Sequence, residues 1–265
     1  MTSELPNPDP SLPQLAITRE VPSSLSDCQL THRERESINL ERARREHAEV
    51  AAALGSLGVP VVELPSPTEF PDAVFIEDTA CVLDELAIIA RPGAESRRGE
   101  VDAVAEALAA HRPLARIGAP GTLDGGDVLR AGRRIFVGRS SRTNDAGIEQ
   151  LTKLAEPLGY EVRAVAVEGC LHLKSAITEL ADGVLLAHPP FIDAAAFAPL
   201  SIVPVDPDEP GAANVLRIGS TILIGAQFPR TRARLAAEGF TTIAIAQSEL
   251  EKAEAGLTCG SLLLY

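Results

Sequence analysis

One short pattern recurs along the chain: an apolar run, a polar turn carrying Asp, Glu or Gly, and a second apolar run. It occurs as CVLDELAIIA at 81–90, DVLRAGRRIFVG at 127–138, AITELADGVLLA at 176–187 and NVLRIGSTILIG at 214–225. Short apolar stretches broken by such turns predict β-hairpins. Three of them are followed by helical stretches, at 99–111, 145–159 and 230–239, and further strands follow, such as YEVRAVAV at 160–167 and TTIAIA at 241–246. LAITREV at 15–21, with a long polar helix after it over 34–57, reads as one half of a further unit, and the C-terminal SLLLY as the other half. About five units with a period of roughly 35–50 residues imply a solenoid or propeller-like array. Pairing of the two end strands would close it. The competing arrangement is a plain α/β domain with hairpins. Residues 1–14, with four prolines and no periodicity, read as a flexible tail, and 15–265 as a single domain.

The charge balance narrows the partners. With 24 Lys and Arg against 37 Asp and Glu, the net charge is −13 over 265 residues. Such a field repels nucleic acid and anionic membrane surfaces and mildly favours a small cation. Aromatic residues make up 3% and Trp is absent, so base-stacking platforms are not expected. The four cysteines, at 28, 81, 170 and 259, form neither a dense disulfide framework nor a C-x-x-C metal pair. No apolar run approaches the roughly 20 residues of a membrane span, and the polar, Pro-rich start is unlike a signal peptide. The expected location is the cytoplasm, with all four thiols reduced.

The repeat also aligns residues. Four positions before the V-L-type core of each first strand stand Asp78, Asp124, His172, Gly211 and Cys259. In a pseudo-symmetric ring these would meet round one axis, giving two carboxylates, an imidazole, a glycine and a thiol. Each has an ordinary alternative. A free Cys is usually a small buried hydrophobe, a lone His usually a satisfied structural residue, and D-G-G-D at 124–127 a good turn whose carboxylates cap amides. Asp72, Glu77 and Asp78 flank the apolar AVFI run, where buried charge needs a partner such as a guanidinium. Arg97 and Arg142 each follow a hairpin and precede a helix, matching positions that suit a shared anion site.

The segments PDAVFIEDTA, RPGAESRRGEV, TLDGGDVL, VGRSSRTN, LHLKS and ELEKAEAGLTCGS together resemble dimethylarginine dimethylaminohydrolase, of the guanidine-modifying (amidinotransferase-like) superfamily. The likeness runs from about residue 15 to the C-terminus. It implies a five-bladed pseudo-symmetric α/β propeller of ββαβ-type units, and hydrolysis of N-methylated arginines to citrulline without metal or organic cofactor. It further implies Cys259 as nucleophile, His172 as general acid/base and Asp124 as the carboxylate orienting it. Asp72, Glu77 and Asp78 would surround the guanidinium, and Arg97 and Arg142 would hold the amino acid's carboxylate. Leu30 would be a lid residue, and Ala253 would line the entrance through its backbone. The partner is a small cationic amino acid, with no nucleic acid or membrane and with a homodimer left open. Two alternatives stand beside this reading: an arginine deiminase, agmatine deiminase or amidinotransferase of the same superfamily, and a non-catalytic protein binding arginine derivatives. Lys174 separates the first, because arginine deiminases resemble a His-x-Asp pattern at that place.

Overall fold

The computed structural model describes residues 11–265. Its strands pair into five three-stranded sheets. Strands β1 (Leu15–Arg19) and β2 (Val61–Leu64) form the first with the C-terminal strand, Ser261–Leu264. The others follow in sequence: β3 (Ala80–Val82), β4 (Ala87–Ile89) and β5 (Leu114–Arg116), then β6 (Val128–Ala131), β7 (Arg134–Arg139) and β8 (Glu161–Ala166). After them come β9 (Ile177–Ala181), β10 (Val184–Ala187) and β11 (Ser201–Pro204), then β12 (Leu216–Ile218), β13 (Thr221–Gly225) and β14 (Thr241–Ile245), with Ser261–Leu264 as β15.

Each sheet is built alike, from an antiparallel pair whose second strand also pairs in parallel with a third. A parallel partner requires a crossover. The helices in chain order are α1 (Leu40–Ser56), α2 (Val101–Ala109), α3 (Asp145–Ala155), the single turn α4 (Leu173–Ala176) and α5 (Pro229–Ala237). Of these, α1, α2, α3 and α5 are crossovers, while the sheet of β9–β11 crosses over through the short turns Pro189–Phe191 and Ala194–Phe197. The expected end-to-end closure is present: β1 and β15 run antiparallel from Leu15 opposite Leu264 to Thr18 opposite Ser261. The five-bladed α/β propeller is therefore the fold.

Two boundaries differ from the sequence reading. Helix α1 begins at Leu40 rather than near 34, because Asn39 caps it by accepting the Arg42 amide. Of the expected tail, 1–10 lie outside the described residues. Leu12 already packs on the core of the first sheet, and the Gln14 amide donates to the Leu264 carbonyl at 2.6 Å.

Apolar wedges join neighbouring blades. Between the first two, Ile17, Ile76, Ile89, Val104, Leu108 and Leu262 form one cluster, and each such fully buried side chain is worth roughly 1.5–3 kcal/mol. With adhesion supplied there, the axis is left for polar groups. Each first strand of a blade is preceded by one helical turn: Ile76–Thr79, Gly125–Asp127, α4, Pro210–Ala213 and Thr258–Gly260. These turns pack on one another about the axis. The aligned residues all fall in or beside them, although the equal offset is not kept. Asp78 and Cys259 lie two residues before their strands, Asp124 four, and His172 and Gly211 five. Among the described residues no helix is long and apolar enough to cross a membrane.

Candidate active site

The turn Ile76–Thr79 sinks Asp78 to 3% exposure, where a carboxylate requires partners. Arg97 supplies one, its Nη1 donating to Asp78 Oδ2 at 2.6 Å, and the Gly126 amide donates to Oδ1 at 3.0 Å. Burial would push the Asp78 carboxyl up, yet His172 and Arg97 beside it hold it down to about 2. Arg97, expected beside Arg142 at a ligand carboxylate, is held by several protein groups. Its Nε and Nη2 fork onto Glu100, Nη2 also meets the carbonyls of Asp72 and Phe75, and the side chain is buried. Removing one partner from a buried pair of this kind costs about 3–5 kcal/mol, so the guanidinium is anchored. It orients Asp78.

The D-G-G-D motif is more than a turn. Asp124, fully buried, accepts the Gly93 amide at Oδ1 (2.8 Å) and meets His172 Nε2 at Oδ2 (3.1 Å). A side chain at Gly125 would collide with the Glu77 carbonyl, and a Cβ at Gly126 would lie 2.7 Å from Asp78 Oδ1 and 2.8 Å from His172 Nδ1. Both glycines are required by close approach. Asp127 accepts the Leu173 amide (3.0 Å) and the Ser140 hydroxyl (2.5 Å), which fixes the turn that starts just after His172. Burial would lower the His172 imidazole, but Asp78, the bond to Asp124 and the charge of Asp127 raise it to about 9. At neutral pH it is an imidazolium, a proton donor held in place.

Cys259 sits in the turn before β15, its sulfur accepting the Gly256 amide at 3.3 Å. Burial, then the charges of Glu77 and Asp78, push its thiol up to about 12. It is protonated at rest. A cation placed against these carboxylates would cancel the field that opposes the thiolate. Glu77, expected beside a guanidinium, is engaged by two protein groups. One oxygen pairs with Lys174 Nζ and the other accepts the Thr258 hydroxyl at 2.7 Å. Thr258 and Lys174 are tied in turn by Asn214, which donates to the Lys174 carbonyl and the Thr258 hydroxyl, each at 3.0 Å. Glu77 thus braces the turn that carries Cys259, and Asp78 is the carboxylate facing His172.

Asp72 accepts the Gln29 amide at 3.1 Å. Burial raises its carboxyl, and Arg97 and then Arg142 act to lower it, so the half-buried Arg142 guanidinium lies within electrostatic reach. Leu30 packs in the apolar cluster that also contains Ala253 and the side chain of Cys259. Gly211 contributes to the wall of a neighbouring cavity of about 260 Å³, together with Leu171, Asn214 and Gly256. A larger cavity of about 480 Å³ lies against Glu77, Lys174 and Thr258, but Asp78, Asp124, His172 and Cys259 do not line it. Oxygens and nitrogen of Asp78, Asp124 and His172 come within 4.8 Å of one another, close enough for a cation. Arg97 and the protonated His172 already supply that positive charge.

Sequence reasoning missed Glu100, Thr258 and Asn214. The first had a signal, since Glu100 stands three residues after Arg97 in the run entering α2, the spacing of a local ion pair. The other two are ordinary polar residues whose role exists only through the ring closure.

A thiol, an imidazolium braced by a carboxylate, and a further ionised carboxylate stand together at the axis of a five-bladed propeller, a set that suits chemistry on a small cation. The comparisons agree. The family model for N,N dimethylarginine dimethylhydrolase, eukaryotic, matches residues 18–179. The N(G),N(G)-dimethylarginine dimethylaminohydrolase of Streptomyces coelicolor is 42% identical over 256 residues, covering 94% of this chain and 96% of that protein. The solved Pseudomonas aeruginosa enzyme, a Cys-to-Ser mutant complexed with citrulline, superposes with a TM-score of 0.91 at 33% identity, covering 96% of this chain and all of that one. The N-terminal domain of a cyanobacterial arginine dihydrolase, at 20% identity and TM-score 0.84, shares the fold. The chain belongs to the dimethylarginine dimethylaminohydrolase family and is a hydrolase acting on C–N bonds.

Proposed function

We propose that this protein converts asymmetric dimethylarginine and monomethylarginine to citrulline, releasing dimethylamine or methylamine, through a covalent intermediate on Cys259. The observation that carries the reading is the conjunction at one axis of Cys259, the His172–Asp124 pair and the ionised Asp78. A guanidinium carbon is a weak electrophile because its charge is delocalised. Asp78 fixes the ion, and its arrival favours loss of the Cys259 proton to solvent. The thiolate adds to the carbon, and imidazolium His172 gives its proton to the methylated nitrogen, which departs as the neutral amine. An S-alkylthiouronium remains. Neutral His172 then takes one proton from water as the water attacks the same carbon. As the C–S bond breaks, the remaining hydroxyl proton passes to the departing sulfur, yielding citrulline and the Cys259 thiol with His172 again an imidazolium. Neither step calls for a metal or an organic cofactor. Citrulline formation from asymmetric dimethylarginine by the wild type, absent in a Cys259→Ser control, tests the reading. Tight binding of the substrate without turnover would favour a binding protein instead.

Arg142 is the residue we assign to the substrate carboxylate. Because that contact exists in ground and transition states alike, Arg142→Ala should raise KM at least about tenfold and leave kcat within about threefold. A loss confined to kcat would remove Arg142 from this role.

Lys174 bears on substrate choice. It takes one oxygen of Glu77, and Thr258 takes the other, so the site presents few acceptors for an unsubstituted guanidinium nitrogen. Each buried N–H left unpaired costs about 1–3 kcal/mol, and a methyl group removes the donor. The expected preference for methylated arginines over arginine is at least about tenfold in kcat/KM, or roughly 1.4 kcal/mol. Parallel steady-state assays decide it. Equal efficiency on arginine would mark a deiminase.

A further inference from the structure

Glu254 is the one non-glycine residue with positive φ among the described residues, at 61°. It follows the turn Glu251–Ala253, in the left-handed position that helical turns ordinarily give to Gly or Asn. A glycine stands two residues on, at Gly256, yet this seat holds a glutamate. The side chain shows why. Its Oε1 accepts three consecutive backbone N–H groups, from Thr31 (3.0 Å), His32 (2.5 Å) and Arg33 (2.6 Å), across more than 220 residues of chain. Three amides converging on one oxygen form a receptor for a single negative charge. The other oxygen is buried without a hydrogen-bond partner, so the carboxylate is committed to this segment.

The segment it grips begins immediately after Leu30, which packs against the apolar cluster holding Ala253, the cluster against which Cys259 also packs. Other ties to this segment exist. The Arg33–Glu251 pair is 43% and 27% exposed, and ion pairs of that kind contribute little. The Gln29 amide reaches Asp72 at 3.1 Å on the other side of Leu30.

We infer that Glu254 is a latch, a positioning residue that holds segment 29–33 down so that Leu30 covers the Cys259 thiol and the bound substrate. Its backbone strain persists because the carboxylate must reach those three amides. The kinetic consequence rests on the reaction proposed above, whereas the structural consequence does not.

Glu254→Gly separates the two. It relieves the left-handed backbone and removes the carboxylate, so the melting temperature should stay or rise. Hydrogen exchange at the 31–33 amides should quicken at least tenfold, and KM for dimethylarginine should rise at least tenfold, more than kcat falls. Glu254→Gln, which keeps the shape without the charge, should lie between it and the wild type, and it serves if the glycine variant does not fold. Unchanged exchange at 31–33 in both variants would overturn the latch. Faster exchange with unchanged KM would overturn its part in substrate binding. A wild type that makes no citrulline from dimethylarginine would overturn the proposed reaction, and the exchange arm would still decide the latch.

Discussion

Replacing Asp124 by asparagine is expected to lower kcat by roughly 10²–10⁴-fold, the range that a positioned acid–base group contributes. The amide keeps the shape and the contact with the Gly93 amide, but it offers His172 Nε2 a neutral partner in place of a charged one. Asp78, the bond to Asp124 and Asp127 together raise the imidazole to about 9 against the burial that lowers it. Without the Asp124 charge the imidazole titrates lower. In the wild type kcat/KM should fall as the pH rises through about 9, where His172 ceases to be an acid. In the variant that alkaline limb should move to lower pH. Stability follows the same group. A histidine whose folded value stands above its unfolded value stabilises the fold fully below about 6.5. That contribution is lost as the pH climbs through about 9, and the variant should lose it earlier. An alkaline limb that does not move would separate Asp124 from His172.

Cys259→Ser should reduce citrulline formation by a factor on the order of 10³ or more. The same burial and carboxylates that push the thiol to about 12 would leave a hydroxyl, far less acidic to begin with, without access to its anion. Substrate affinity should remain within a few fold, because the sulfur carries no charge at rest and the proposed grip on the cation belongs to Asp78. Calorimetric titration of dimethylarginine into the variant measures this. Lost affinity together with lost turnover would place the sulfur in binding rather than in bond making.

Much of this architecture was legible because its signals are local and repeated. The four hairpins fell where their apolar runs and their Asp-, Glu- or Gly-bearing turns placed them, and the half-units at the two ends announced the pairing of β1 with β15. The alignment that brought Asp78, Asp124 and His172 together was legible for the same reason. Its equal spacing was not, because Asp78, Gly211 and Cys259 lie inside their turns whereas Asp124 and His172 stand immediately before theirs, and two more residues separate Pro210–Ala213 from β12. What resisted was the second layer of contacts. Nothing in SRRGEV alone shows that Arg97 would be drawn onto Glu100 and Asp78, and nothing in IEDT shows that Glu77 would be neutralised by Lys174 from a different blade. Such partners are set by how adjacent turns meet, and ring geometry is not written in any one repeat. Glu254 was hidden for a related reason, since its partners are backbone amides over 220 positions away.

The covalent intermediate is the centre of the account, and mass spectrometry of acid-quenched enzyme during turnover addresses it most directly. With asymmetric dimethylarginine, the wild type should carry an adduct equal to the substrate less dimethylamine, located on the peptide containing Cys259 and absent from Cys259→Ser. The adduct should form and decay at rates compatible with kcat. Turnover to citrulline with no adduct at any quench time, or an adduct on Cys28, Cys81 or Cys170 instead, would contradict it.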